Sequence, residues 1–284
     1  MTTNRALMND LVAIQQGIAN GTIVLPGLPQ AAARIRQALA GDEPDPRWVA
    51  AEIRRDPGLS SYLIKLANSV AMRGVIDTET VSGALQRLGL NLAGVLVTNY
   101  ALMQMVNIAG GMYRRELGEI HRHSLETAAH CHALATAFTA LPPERALLTG
   151  LVHDIGKLVV LQFAAQKPEL RAQTERLRQL MRYTHASVGA NLLRVWRFPE
   201  PVAAAVAAHE SWMRETADGQ PDLADLVIAA QIDLYRGTEH PMAALENRQV
   251  PAMDRLGLPE GVPFRRWPEF EEPYRRSRVL LGLY

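Results

Sequence analysis

The chain has 284 residues, enough for one large domain or two smaller ones, with roughly 75% of the unfolded surface buried. Hydrophobic residues make up 48% and charged residues 21%, the balance of a soluble globular protein. A net charge of +1 supplies no global field toward DNA, RNA or anionic lipid, which excludes bulk nucleic-acid binding driven by overall charge. The single cysteine, Cys131, has no internal disulfide partner and suits the reducing cytoplasm; it reads as a small buried hydrophobe rather than a nucleophile.

Taken in order, residues 3–20 form an amphipathic helix with Leu7, Leu11, Ile14 and Ile18 on one stripe. Arg5, Asn9, Asp10 and two glutamines interrupt any apolar core there, so it is not a signal peptide. Val24 to Pro29 is extended because its prolines forbid helix, and Pro29 then opens a helix with Ala32, Ile35 and Leu39 inward. Asp45-Pro46 and Asp56-Pro57 each combine a capping carboxylate with a first-turn proline, predicting helices over 46–55 and 57–69. Leu59, Leu63, Leu66 and Val70 are the expected stripe of the second, and Asn68-Ser69 its terminal cap. Thr78 starts a helix with Val81, Leu85 and Leu88 inward, stopped by Gly89.

From Leu88 to Tyr113 there is no charge, a length that can cross a bilayer. Five scattered polar residues (Asn91, Thr98, Asn99, Gln104 and Asn107) and four glycines favour a buried central helix over 91–108 instead, with no membrane span. Gly110-Gly111 marks a boundary. Beyond it, residues 114–140 read as one helix carrying His121, His123, His130 and His132. Pro142-Pro143 opens a short helix, 155–165 is helical, 169–182 is a charged helix facing water, and another runs 184–197. Pro199 and Pro201 start a helix reaching His209-Glu210, and 222–236 is helical with Asp233 near its end. In the tail, Arg265-Arg266-Trp267 and Arg275-Arg276 offer a partner surface or, more commonly, a solvated mixed-charge face. No segment alternates at period two, so the fold class is all-α.

The chemistry concentrates at Gly150-Leu151-Val152-His153-Asp154-Ile155-Gly156-Lys157. An imidazole and a carboxylate inside an apolar run lose hydration, a penalty that a metal ion or a tight hydrogen-bond network removes. Gly150 and Gly156 bracket the pair, allowing close backbone approach or a break between helices, and Lys157 places a cation to face a phosphate. His123, His153-Asp154, His185, His209 and Asp233 recur at intervals of 30, 31, 24 and 24 residues, each about one helix plus a connection. Antiparallel helices can therefore bring them to one end of a bundle, where such donors suit iron, manganese or zinc.

This order of residues resembles the HD superfamily of metal-dependent phosphohydrolases, and more closely its HDOD branch. The resemblance rests on Leu25-Pro26-Gly27-Leu28-Pro29, Asp56-Pro57-Gly58-Leu59, Leu66-Ala67-Asn68-Ser69 and Ala84 to Gly89. It continues through Gly150 to Lys157, His185-Ala186-Ser187-Val188-Gly189-Ala190 and Trp196-Arg197-Phe198-Pro199, covering about residues 22–215. It implies two packed helical subdomains, 22–111 and an HD-like 112–240, flanked by an N-terminal helix at 1–21 and an extension at 241–284. It further implies a bacterial signalling module that works through protein partners, with a pocket for a divalent metal or for a phosphorylated or cyclic-nucleotide ligand.

The alternative it implies is a phosphohydrolase. There His123, His153, Asp154 and Asp233 hold a metal, His185 and His209 serve a second ion or the phosphate, and Asp154 and Lys157 act in catalysis. The chain departs from hydrolytic relatives in having Ala208-His209 in place of paired histidines, Ala229-Ala230-Gln231 in place of an Ala-Asp step, and Ser211-Trp212-Met213 after Glu210. These departures favour a mononuclear site over a multinuclear one.

Overall fold

The computed structural model describes residues 2–23, 25–41, 43–72, 74–108, 113–244, 250–258 and 262–283. Among them all regular structure is helical, with no strand. The prolines and aspartates set the first boundaries as the sequence predicts. Helix α1 (Thr2–Ala19) is followed by α2 (Gln30–Leu39), α3 (Pro46–Ile53) and α4 (Pro57–Ala67). The Asp45 and Asp56 carboxylates accept from the backbone amides of Arg47 and Leu59, satisfying donors that the first helical turn leaves free.

Helix α4 stops earlier than the apolar stripe suggests, and Val70 is 78% exposed. Asn68 ends it, its side-chain oxygen accepting from the Thr78 amide and its amide nitrogen donating to the Thr78 carbonyl. Thr78 is thus pinned outside the next helix, α5 (Val81–Leu88), which Thr80 caps through the amide of Gly83. Gly89 turns the chain with a φ of +76°, a conformation open to glycine, and α6 (Leu90–Ile108) follows. Ala93, Leu96, Val97, Thr98 and Asn99 of α6 are all buried, as a central helix requires. The boundary expected at Gly110-Gly111 lies outside the described residues.

The second half opens with α7 (Arg114–Phe138), α8 (Pro143–Val152), α9 (Gly156–Ala165) and the short α10 (Pro168–Arg171). The two helices expected over 169–182 and 184–197 are instead one, α11 (Thr174–Val195). No glycine or proline interrupts its first half, and Leu177 and Leu180 are buried, so it is not a face turned wholly to water. Asp10 of α1 pairs with Arg176 and Lys167, tying the N-terminal helix to this half. Helices α12 (Glu200–Ala208), α13 (Leu223–Leu234), α14 (Pro251–Arg255) and α15 (Pro268–Leu280) complete the order.

The tail is built into the molecule: the Tyr274 hydroxyl donates to Glu126 of α7 at 2.9 Å, and Ser277 meets His132 at 2.9 Å. Trp267 is buried, while Arg275 pairs with its neighbour Glu272 on the surface. Cys131 is fully buried and burial pushes its thiol up, in keeping with a core role. Among the described residues one helical stretch, Pro143–Ala165, is long and apolar enough to cross a membrane, and 83% of its most apolar window is buried inside the molecule.

Two glycines set how closely the second-half helices cross. A β-carbon on Gly150 would stand 2.6 Å from Cα of Ala128, so α8 lies directly on the backbone of α7. One on Gly156 would collide with the carbonyl oxygen of His185 and stand 2.6 Å from the amide nitrogen of Gly189. At this crossing of α9 and α11 backbone meets backbone, and no side chain can yield. Gly156→Ala is therefore expected to destabilise the protein by about 1–3 kcal/mol or more, measured by urea denaturation. An exposed-helix change such as Ser187→Ala should stay within about 0.5 kcal/mol; equal effects would show that the crossing is not tight.

Candidate metal centre

His153 and Asp154 occupy the break between α8 and α9, so the last turn of one helix and the first turn of the next aim both side chains inward. Each is fully buried, as is His209, and His185 is nearly so. Last-turn carbonyls lack partners within a helix. Here they accept from the imidazoles: Nδ1 of His153 donates to the Gly150 carbonyl at 2.8 Å, and Nδ1 of His209 donates to that of Val206 at 2.7 Å. Within α11, Nδ1 of His185 donates to the Met181 carbonyl at 2.8 Å. A carbonyl only accepts, so Nδ1 carries a hydrogen in all three rings and Nε2 is the atom that each ring turns inward.

Those Nε2 atoms converge on Asp154, whose two oxygens serve different partners. Oδ2 lies 3.4 Å from Nε2 of His153, 4.0 Å from Nε2 of His123 and 2.6 Å from the Lys157 ammonium, which donates to it. Oδ1 lies 3.4 Å from Nε2 of His185 and has no hydrogen-bond donor, although fully buried. Nε2 of His185 and Nε2 of His209 face each other at 3.1 Å, and Glu210 approaches both, at 3.5 and 3.6 Å. Nε2 of His153 is likewise buried without a hydrogen-bond partner.

Electron pairs packed this closely need a cation. Protons are poor candidates, because burial pulls His153 down to about 3 and His209 to about 4. Burial alone would raise Asp154, but the histidines and Lys157 around it hold its carboxyl well below the ordinary range. Two overlapping sets of ligand atoms result: His123, His153 and Asp154, and Asp154, His185 and His209. Neutral imidazoles and one anionic oxygen suit a divalent ion of the iron, manganese or zinc type. The donors therefore fit a metal, and the second set fits best, since its carboxylate oxygen is the unpaired one.

Of the residues expected from the sequence, His123, His153, Asp154, Lys157, His185 and His209 come together, and Asp233 does not. Asp233 Oδ2 lies 3.4 Å from Nε2 of His130, and Oδ1 accepts from the Phe264 amide at 3.1 Å. The reason is helical phase: two residues further on, about 200° around the axis, Tyr235 takes the side facing His123. Its ring stacks on His123 at 5.3 Å and on His240 at 3.8 Å, and its hydroxyl lies 3.4 Å from Nε2 of His123.

Tyr235, His240 and the arginines beside them escaped the sequence reading, since no spacing marks them. Glu210 did carry a signal, its adjacency to His209. A cavity of about 520 Å³ opens beside the centre, with Lys157, His185, Glu210, Tyr235, Arg178 and Arg182 among its walls.

Asp154→Asn is expected to lower metal affinity by well over the roughly 10–100-fold seen for outer partners of a metal site, measured by elemental content after dialysis. Asp233→Asn should keep the metal and instead cost about 1–3 kcal/mol of stability. Metal content falling with Asp233→Asn and not with Asp154→Asn would contradict the assignment.

Comparison with known proteins identifies the family and the fold. Residues 25–212 match the HDOD domain family, about two thirds of the chain. A curated but uncharacterized protein of Treponema pallidum (strain Nichols) is 22% identical over 255 residues, covering 84% of this chain; the chain spans about half (48%) of that relative's length. Among solved structures, a candidate metal-dependent phosphohydrolase from Shewanella amazonensis SB2B is similar with a TM-score of 0.82 and 23% identity, over 99% of this chain and 100% of the other. An HDOD domain protein of unknown function from Geobacter sulfurreducens has a TM-score of 0.63 and 19% identity, over 95% and 89%. A candidate signal transduction protein from Marinobacter aquaeolei VT8 has a TM-score of 0.63 and 20% identity, over 93% and 60%. At these identities the solved structures establish a shared fold. With the family match spanning the leucine-proline segment, the His153-Asp154 turn and His209, the chain belongs to the HDOD domain family.

Proposed function

We propose that this protein is a cytoplasmic bacterial signalling module that acts through protein partners, with a single divalent ion and a phosphorylated ligand held in its HD-type pocket. The observation that carries this reading is the position of Lys157. Its ammonium takes the Asp154 oxygen that faces His123 and His153, leaving the oxygen beside His185 free for an ion. A paired clamp on the attacking and leaving oxygens of a phosphodiester needs two ions. One ion beside a cavity whose walls include Lys157, Arg178 and Arg182 as well as Glu116, Glu119 and Glu210 supports binding instead.

When bound, a divalent ion here supplies Lewis acidity and lowers the pKa of a coordinated water. The protein's own residues do the rest. Arg178 and Arg182 on α11 line the cavity and present guanidinium forks to phosphoryl oxygens. Tyr235 and His240 form a stacked pair whose face suits a flat base. Glu210 lies within 3.6 Å of both imidazoles of the second set, so it can accept a proton or complete the ligand shell.

A second reading is a metal-dependent phosphohydrolase of phosphoesters or cyclic nucleotides, in which His123, His153, Asp154, His185 and His209 would hold the metal and Lys157 would neutralise charge on the phosphate. The bifacial environment of Asp154 favours it.

Calorimetric titration of metal-loaded protein with a panel of nucleotides and cyclic dinucleotides tests the two. The module reading expects saturable binding without turnover, weakened about tenfold in Arg182→Ala. Metal-dependent release of phosphate or of a linear product would establish the hydrolase instead. Neither binding nor turnover across the panel would contradict both.

A further inference from the structure

The first half of the chain holds a charge that nothing in the metal centre explains. Arg36 of α2 lies with its guanidinium carbon 3.4 Å from the ring centroid of Phe198, so the aromatic face fixes its plane. A guanidinium has five N–H donors. Here one of them reaches the Thr98 hydroxyl at 3.3 Å, an oxygen that already donates to the Gly94 carbonyl. The Arg36 Nε is buried with no partner, and among the described residues no carboxylate pairs with the group.

Burial lowers its pKa to about 10, which leaves it charged at neutral pH. Other shielded arginines of this chain are treated differently: Arg176 meets Asp10, and Arg214 and Arg255 both meet Asp225. A partly desolvated cation without an anion is costly. Arg36 has no such carboxylate among the described residues, and unlike Arg87, whose guanidinium donates to two carbonyls and the Asn68 side chain, it has only the Thr98 hydroxyl in its place.

It also faces space. A cavity of about 340 Å³ lies between α2, α6 and the start of α8, with Arg36, Asn91 and Arg145 on its walls. Arg145 is exposed and its side chain has no ion-pair partner among the described residues. The carboxylate on the same wall, Glu144, acts on His132 and pairs with neither arginine. Two unpaired guanidinium groups, one held flat against an aromatic ring, and a side-chain amide form a receptor for an oxyanion.

We propose that this cleft is a second ligand site, separate from the metal centre, which binds a small-molecule oxyanion of the phosphate or carboxylate type between Arg36 and Arg145. The two arginines come from α2 and α8, so a bound anion links the first half of the chain to the helix that ends at His153.

Calorimetric titration of the full-length, metal-free protein with inorganic pyrophosphate in one arm and succinate in the other tests the site and separates the two ligand types. Saturable binding at millimolar concentration or below is expected in at least one arm. Arg36→Lys should weaken it tenfold or more, because an ammonium cannot present a planar fork, and Arg145→Gln about fivefold. Arg145 is exposed, so its variant reports on the site even if Arg36→Lys fails to fold. Binding unchanged in Arg145→Gln and in folded Arg36→Lys would place the anion elsewhere and overturn the proposal, as would the lack of saturable binding in both arms.

Discussion

Backbone contact at Gly156 is the constraint from which the rest of the site follows. Because its α-carbon carries no side chain, α9 lies directly on the His185 carbonyl and the Gly189 amide of α11. Gly150 does the same for α8 against Ala128 of α7. These two crossings bring His123, His153-Asp154 and His185 from separate helices into one buried cluster. The tight approach also shuts water out, which makes the electrostatics inside the cluster strong.

What the crossings assemble is an excess of electron pairs over protons. Helix-end and helix-interior carbonyls take the Nδ1 hydrogens of three histidines, and burial pulls His153 and His209 well below the ordinary imidazole range. Their Nε2 atoms then have nothing to share with each other or with Asp154. Lys157 relieves one carboxylate oxygen; the other is left without a donor, 3.4 Å from Nε2 of His185. That asymmetry links the fold to the functional reading, since it favours one ion over two.

Much of this was legible in the sequence because it is carried by local signals. His153-Asp154 between two glycines, proline-opened helices and histidines at helix-length intervals each announce themselves within a few residues. Asp233 misled because interval counting ignores rotation about the helix axis, and the side of α13 that meets His123 belongs to Tyr235. The split expected within α11 had no breaker residue behind it, only a change from charged to apolar composition. Val70 continued an apolar period past the point where Asn68 recruits Thr78 and ends the helix. His240 and Arg36 were invisible because their roles depend on contacts with distant residues, Tyr235 and Phe198.

The central claim is that these imidazoles are arranged to share a cation, and X-ray absorption at the edge of the bound metal addresses it most directly. The account predicts a shell of nitrogen and oxygen neighbours at about 2.0–2.2 Å with the multiple-scattering pattern of at least two imidazoles. A spectrum showing only water oxygens, or sulfur in the shell, would contradict it.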